Sequence, residues 1–310
     1  MSRTLVINAD DLGLCRAVNV AVVEAHRHGI LTSASLMATG PAFDHAVETV
    51  VRRNPALGIG AHLCLTSGAS LLGHAEIPRL VHQDGTFRHG FVSLMRLVHR
   101  GGQDVCHEIE RELDAQLAKL QSAGIAIDHV NSHRHVHMIP AIFGIVDRLA
   151  VRYGKLPIRV SAEPWFPQSR RMLTTQLPRL LSNAPKNLIL RKLDRLREQG
   201  RQIPCADRVY GILGSGRMDC QALSSTIRRL PEGVSEILTH PAADVDEPLP
   251  QISPSDRAFI TSNDRQRERE ALTHPACRTA VNTAHVELIS FRDLSTQQFV
   301  PHGKQQFVNN

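Results

Sequence analysis

Aromatic residues are scarce: one Trp, two Tyr and nine Phe in 310 residues, or 4%. A single-stranded nucleic-acid groove built on stacked bases would need more platforms than that, and no recognisable nucleic-acid motif is present. No stretch approaches the ~20 apolar residues a helix needs to cross a bilayer. The apolar start of the chain meets Asp10 and Asp11 before a signal-peptide core could form. The expected location is therefore the cytoplasm. The cysteines (Cys15, Cys64, Cys106, Cys205, Cys220 and Cys277) form no CxxC pair. Scattered thiols in a chain without an export signal are expected to stay free. Acidic residues are fewer than basic ones, 30 against 36, and the imbalance has a location. Between Phe166 and Arg208 there are ten Lys+Arg and three Asp+Glu, so the rest of the chain is close to neutral. What remains is ordinary globular composition, 42% hydrophobic and 21% charged, which excludes disorder as the dominant state.

Short apolar runs predict buried strands at Thr4–Asn8, Ser33–Met37, Leu57–Leu65, Ile127–Asn131, Ile158–Val160, Val209–Leu213 and Val234–Thr239. Helical spacing lies between them. Val18, Ala21, Val22 and Ala25 share one face, with Gly29 as the expected C′ cap. Val105, Ile109, Leu113, Leu117 and Leu120 share another, and Pro140 opens a third helix. Strands alternating with helices imply a mostly parallel α/β sheet, open or closed into a barrel. The stretch 166–208 breaks the alternation and reads as an inserted basic lid. Residues 1–250 then form the main domain, and 251–310 a helix/strand extension with a strand at His285–Ser290 and a loose tail.

The titratable residues cluster at strand ends, where ligands bind in parallel α/β folds. Asn8-Ala-Asp10-Asp11-Leu-Gly13 closes the first strand. Adjacent carboxylates repel, and are tolerated if one holds a cation while the other stays free as a base. An Asp here could equally cap the next helix. His62 sits inside the apolar run Gly58–Leu65, where it must be hydrogen-bonded or bound to something. His129, His133, His135 and His137 alternate along a strand or its exit loop and so project to one side. They cannot all bind one ion, so some contact substrate or support a ligand. His240-Pro241 follows another strand. One carboxylate and two histidines leave coordination positions open, as hydrolytic metal sites do, and the donor set accepts Zn²⁺, Mg²⁺, Mn²⁺ or Co²⁺.

Asn8-Ala-Asp10-Asp11-Leu-Gly13, Gly60-Ala-His62-Leu-Cys-Leu-Thr66, Asn131-Ser-His133-Arg-His135-Val-His137 and His240-Pro241 resemble, in order and spacing, the motifs of the YdjC-like carbohydrate deacetylases. The resemblance spans about residues 3–245. It implies a distorted (β/α) barrel and one divalent ion, Mg²⁺ or Zn²⁺, held by Asp11, His62 and His133. It further implies Asp10 as general base and, by analogy with polysaccharide deacetylases, His240 as the acid. His135, His137 and Arg159 are expected to contact an N-acetylated amino sugar. Many members carry Asp where this chain has Asn131. The hopanoid-biosynthesis-associated branch commonly has Asn there, and Ser35–Pro41, Ala75–Pro78 and Leu230–Val234 also resemble that branch. Its substrate would be an N-acetylglucosaminyl hopanoid lipid, with the basic insert resting on an anionic membrane. Leu173, Leu177, Leu180 and Leu181 would supply an apolar patch there. A soluble chitooligosaccharide is the alternative substrate, and a homodimer is compatible with the resemblance. Outside the family, a metal-dependent phosphohydrolase or a nucleic-acid binder acting through the insert are the competing functions.

Overall fold

The computed structural model describes residues 2–164, 184, 187–194, 205–244 and 252–296. Seven parallel strands form its sheet: β1 (Arg3–Leu12), β2 (Ser33–Leu36), β3 (Gly58–Leu63), β4 (Val130–Ser132), β5 (Arg208–Tyr210), β6 (Gly233–Thr239) and β7 (Val286–Leu288). Their order is β4-β3-β2-β1-β6-β5, with β7 alongside the first residues of β1. The sheet curls into a half-barrel with helices outside it, the distorted (β/α) barrel expected from the sequence. Among the described residues no strand pairing joins β4 to β5.

β1 is buried from Thr4 onward because both its faces are covered. Leu5, Ile7 and Ala9 point into the main apolar core beneath the helices. The alternate positions Asn8 and Asp10 face the barrel interior, hydrogen-bonded to each other and, through Asn8, to Ser35. The interior is thus polar: Asn8, Asp10, Ser35, His62, Asn131, Arg159 and Glu236 are all nearly inaccessible to solvent. Such a core is stable only if its groups satisfy one another. Gly60 leaves space for the His129 ring, which a Cβ at this position would meet at 2.2 Å.

Several boundaries differ from the sequence expectation. The helix predicted from Val105 begins at Phe91 and runs to Ser122, broken at Gly102, whose φ is +57°. Gly29 is no left-handed cap. His28 ends the first helix, Arg16–Arg27, and Gly29 is required because a Cβ there would stand 2.3 Å from the Leu272 carbonyl oxygen. Ile158–Val160 contributes one bridge, Ile158 to Val130, and no named strand. Of the basic insert, 184, 187–194 and 205–208 are described, and 187–194 are helical. Leu173, Leu177, Leu180, Leu181 and the tail beyond Gln297 lie outside the described residues. The C-terminal stretch carries the helices Pro254–Ile260, Asn263–Thr273 and Pro275–Thr283 before β7. Among the described residues no helix is long and apolar enough to cross a membrane.

Candidate active site and metal centre

Adjacent residues of a regular strand point to opposite faces, yet Asp10 and Asp11 line the same cavity. The pairing register of β1 with β2 slips between Ala9 and Leu12, and Asp11 takes a φ of +66°. This bulge turns the second carboxylate inward beside the first. Bulges next to functional sites re-aim side chains in this way, and a non-glycine residue in the left-handed region is a cost the site bears.

Asp11 Oδ1 lies 3.1 Å from His62 Nε2 and 2.9 Å from His133 Nδ1. The three side chains are buried, and each offers a ligating atom within 4.8 Å of the others. The proton inventory tests whether a cation fits. His62 Nδ1 must donate to the Asn131 amide oxygen at 2.6 Å, since an amide oxygen only accepts. A neutral His62 therefore turns a bare Nε2 toward the Asp11 carboxylate. Two lone pairs face each other unless a proton or a metal ion stands between them, so this donor set fits a divalent cation.

Burial alone would push the Asp11 carboxyl up. The charges and hydrogen bonds of His133 and His62 more than reverse that and hold it well below the usual carboxylate range. Burial would likewise lower His133, but Asp11 and Asp256 raise it well above the ordinary histidine value.

Asp10 has a different environment. Arg159 grips both of its oxygens, Nη1 to Oδ2 at 2.6 Å and Nη2 to Oδ1 at 2.8 Å. Asn8 Nδ2 adds a bond to Oδ1 at 2.8 Å. Burial favours the neutral acid, yet the Arg159 charge dominates the outcome and lowers Asp10 to about 2. Asp10 is thus an anion lining the cavity, with Oδ2 3.9 Å from His240 Nε2. His240 moves down to about 4, through burial first and then the charge of Arg265, against the pull of Asp10. At neutral pH the resting pair is carboxylate and neutral imidazole.

The cavity has a volume of about 260 Å³, room for one sugar ring, and its wall includes Arg134, His135, Ser215 and Phe259. The four histidines of the third motif do not share a face. β4 ends at Ser132 and a tight turn follows, with Arg134 and His135 at φ values of +55° and +59°. His133 and His135 reach the cavity. His137 stands behind it, fully buried between Ser132 Oγ and the Arg159 carbonyl oxygen. His129 is buried too, bonded to Asp128 and Ser35 and stacked on Phe291. Arg159, 0% exposed, is occupied by Asp10 and Glu236 and does not line the cavity. Neither His137 nor Arg159 is placed to touch a substrate, because each is spent on holding the wall.

Sequence reasoning missed the contribution of the C-terminal stretch. Asp256 and Phe259, on the helix Pro254–Ile260, line the cavity. Asp256 Oδ1 lies 3.2 Å from His133 Nε2. Arg265 and Glu268 hold the His240 backbone, at its carbonyl and its amide, at 2.8 and 2.6 Å. The Phe259 ring stands edge-on to the His240 ring. No sequence signal marked these supports: the charge-rich helix Asn263–Thr273 reads as a solvated face, and its burial comes from packing alone.

A sequence profile of the YdjC-like protein family matches residues 4–283. The chain is 32% identical over 291 residues to a carbohydrate deacetylase of Listeria welshimeri, covering 94% of this chain and 99% of the relative. It is 43% identical over 162 residues to a carbohydrate deacetylase of Brevibacillus brevis, a match that spans 52% of this chain and 60% of that relative's length. In three dimensions it superposes on a putative cellobiose-phosphate cleavage protein from Enterococcus faecalis with a TM-score of 0.70 and 27% identity, covering 95% of this chain and 99% of that one. With the sequence profile matched along nine-tenths of its length and a likeness in fold that extends end to end, the chain belongs to the YdjC-like family.

Proposed function

We propose that the protein is a metal-dependent carbohydrate deacetylase that hydrolyses the acetamide of an N-acetylated amino sugar. One observation carries the reading: a cation-ready cluster (Asp11, His62, His133) and an unligated anionic carboxylate (Asp10) share one sugar-sized cavity. The names of the relatives support it. A divalent ion on the cluster would supply Lewis acidity, polarising the acetamide carbonyl and a water molecule.

The remaining steps belong to this chain's own side chains. Asp10 Oδ2 takes a proton from the attacking water. Arg159 keeps that carboxylate ionised and fixes its plane. His240, neutral at rest and adjacent to Oδ2, receives the proton and passes it to the departing nitrogen. An amine is a poor leaving group until protonated, so the relay addresses the harder half of the reaction. His135 and Phe259 are proposed to contact the sugar.

Within this reading, the finer proposal is a lipid-linked amino sugar. On the helical segment 187–194, Leu188 and Ile189 are exposed beside Lys192, a pattern suited to an anionic lipid surface. Acetate release is to be measured from soluble N-acetylglucosamine oligosaccharides and from an N-acetylglucosaminyl lipid in vesicles, with Zn²⁺, Mg²⁺ and Co²⁺. Faster release from the lipid supports the finer proposal, and faster release from the oligosaccharides removes it. If the metal-loaded protein liberates acetate from none of them, the deacetylase reading fails.

A further inference from the structure

The two histidines of the cluster have unlike partners on the side away from Asp11. His62 Nδ1 faces a neutral amide, Asn131. His133 Nε2 faces a carboxylate, Asp256, from a segment more than a hundred residues away. Asp256 is itself buried, its carboxylate held by three further donors and its backbone amide tied to one of them. Arg134 Nη2 donates to Oδ1 at 2.9 Å, Ser253 donates to Oδ2 at 2.7 Å, Ser67 donates to Oδ2, and the Asp256 backbone amide donates to Ser253 Oγ at 3.1 Å. A side chain held that firmly can set the orientation of what it touches.

We propose that Asp256 is the positioning residue for the metal ligand His133: it accepts the ring N–H that must remain when the other nitrogen is given to a cation. This rests on the metal reading above. A histidine ligand has one nitrogen for the ion, and the other needs an acceptor that fixes tautomer and ring plane. A carboxylate in that place also makes the ligating nitrogen more basic than an amide would. His133 is therefore the stronger of the two imidazole donors, and its strength comes from outside the strands that carry the metal ligands. Because Asp256 also lines the cavity, the segment that completes the metal centre forms part of the sugar's enclosure.

The test is a titration of the metal-free full-length protein with Co²⁺ alone, following the visible d–d absorption. Wild type is expected to bind one Co²⁺. Asp256→Ala should bind it ~10–100-fold more weakly, with displaced absorption bands, because the support of a ligand has gone. Asp256→Asn keeps an acceptor oxygen without the charge, and should show a smaller loss; it stands in if the alanine variant does not fold. Ser67→Ala removes one of the bonds holding Asp256 and leaves the His133 contact, so it should remain near wild type. Asp256 variants that bind Co²⁺ with wild-type affinity and spectrum would overturn the proposal while leaving the metal reading intact. A wild-type protein that binds no Co²⁺ would overturn both. Co²⁺ binding weakened by Asp256→Ala, in a protein that releases no acetate from any amino sugar, supports the positioning role and removes the deacetylase reading alone.

Discussion

The half-barrel and the C-terminal stretch meet at one cavity and contribute in opposite ways. Strands β1, β3 and β4 and their exits bring the atoms proposed for chemistry: Asp10, Asp11, His62 and His133. The helices between Pro254 and Thr273 bring supports: Asp256 on His133, and Arg265 and Glu268 on the His240 backbone. On the strand side, neighbouring carboxylates are made different. Asp10 is held as an anion by a guanidinium that does not line the cavity, while Asp11 is left facing two imidazoles. A site of this kind separates reactivity from rigidity, with reactive groups on the strand ends and the elements packed over them setting ring planes and charge.

The comparison predicts that damage to the strand side appears as lost turnover, and damage to the C-terminal side first as lost stability. The largest effect is expected for Asp10→Asn. Turnover should fall ~10²–10⁴-fold with metal content unchanged, whereas His62→Ala should lose the metal as well. Acetate release beside elemental analysis checks both, and a fully active Asp10→Asn enzyme would end the assignment of Asp10.

Arg265→Met comes next. Arg265 acts on the proposed reaction indirectly, through the His240 carbonyl, its charge near the His240 ring and its stacking on Phe259, and its loss leaves Glu268 buried without its ion partner. A loss of ~3–5 kcal/mol in denaturant-induced unfolding is expected. If stability is unchanged while turnover collapses, the division between the two regions is wrong.

A pH dependence sharpens the same contrast away from the metal. Glu163 is buried against the loop at Gly211–Leu213. Burial raises it from 4.5 to about 7, although backbone amides of that loop donate to its carboxylate. The folded protein then holds this proton more tightly than the unfolded chain does. Its contribution is complete below about pH 4.5 and is lost as pH rises toward 7. That loss is roughly 3 kcal/mol, from 1.36 kcal/mol per pKa unit. Glu163→Gln should flatten that part of the stability–pH curve; an unaltered slope would show that another group produces it.

The smallest effect belongs to the floor of the site. Gly60→Ala would press on the His129 ring, and an overpacking cost of ~1–3 kcal/mol is expected in thermal unfolding. Retained wild-type stability would mean that His129 can move aside.

Much of this was legible from residue order. The β/α alternation predicted the parallel sheet, because strands covered on both faces read as apolar runs. The strand-end motifs pointed to Asp10, Asp11, His62, His133 and His240, because parallel strands all end on one side. The spacing of His133, His135 and His137 was misleading. An alternating pattern implies a shared face only while the chain stays extended, and β4 stops at Ser132.

The sequence by itself determined which chemical groups stand at the strand ends, since burying apolar runs in a parallel sheet leaves their polar termini together. Tertiary structure alone decided which carboxylate became which. One bulge with φ +66° turned Asp11 toward the histidines, and Arg159, distant in the chain, claimed Asp10. It also decided that Asp256 and Glu268 belong to the site. Charge and hydrogen bonding act through space over a few ångströms, and residues separated by 28 positions, as His240 and Glu268 are, or by 123, as His133 and Asp256 are, carry no local pattern that announces their meeting.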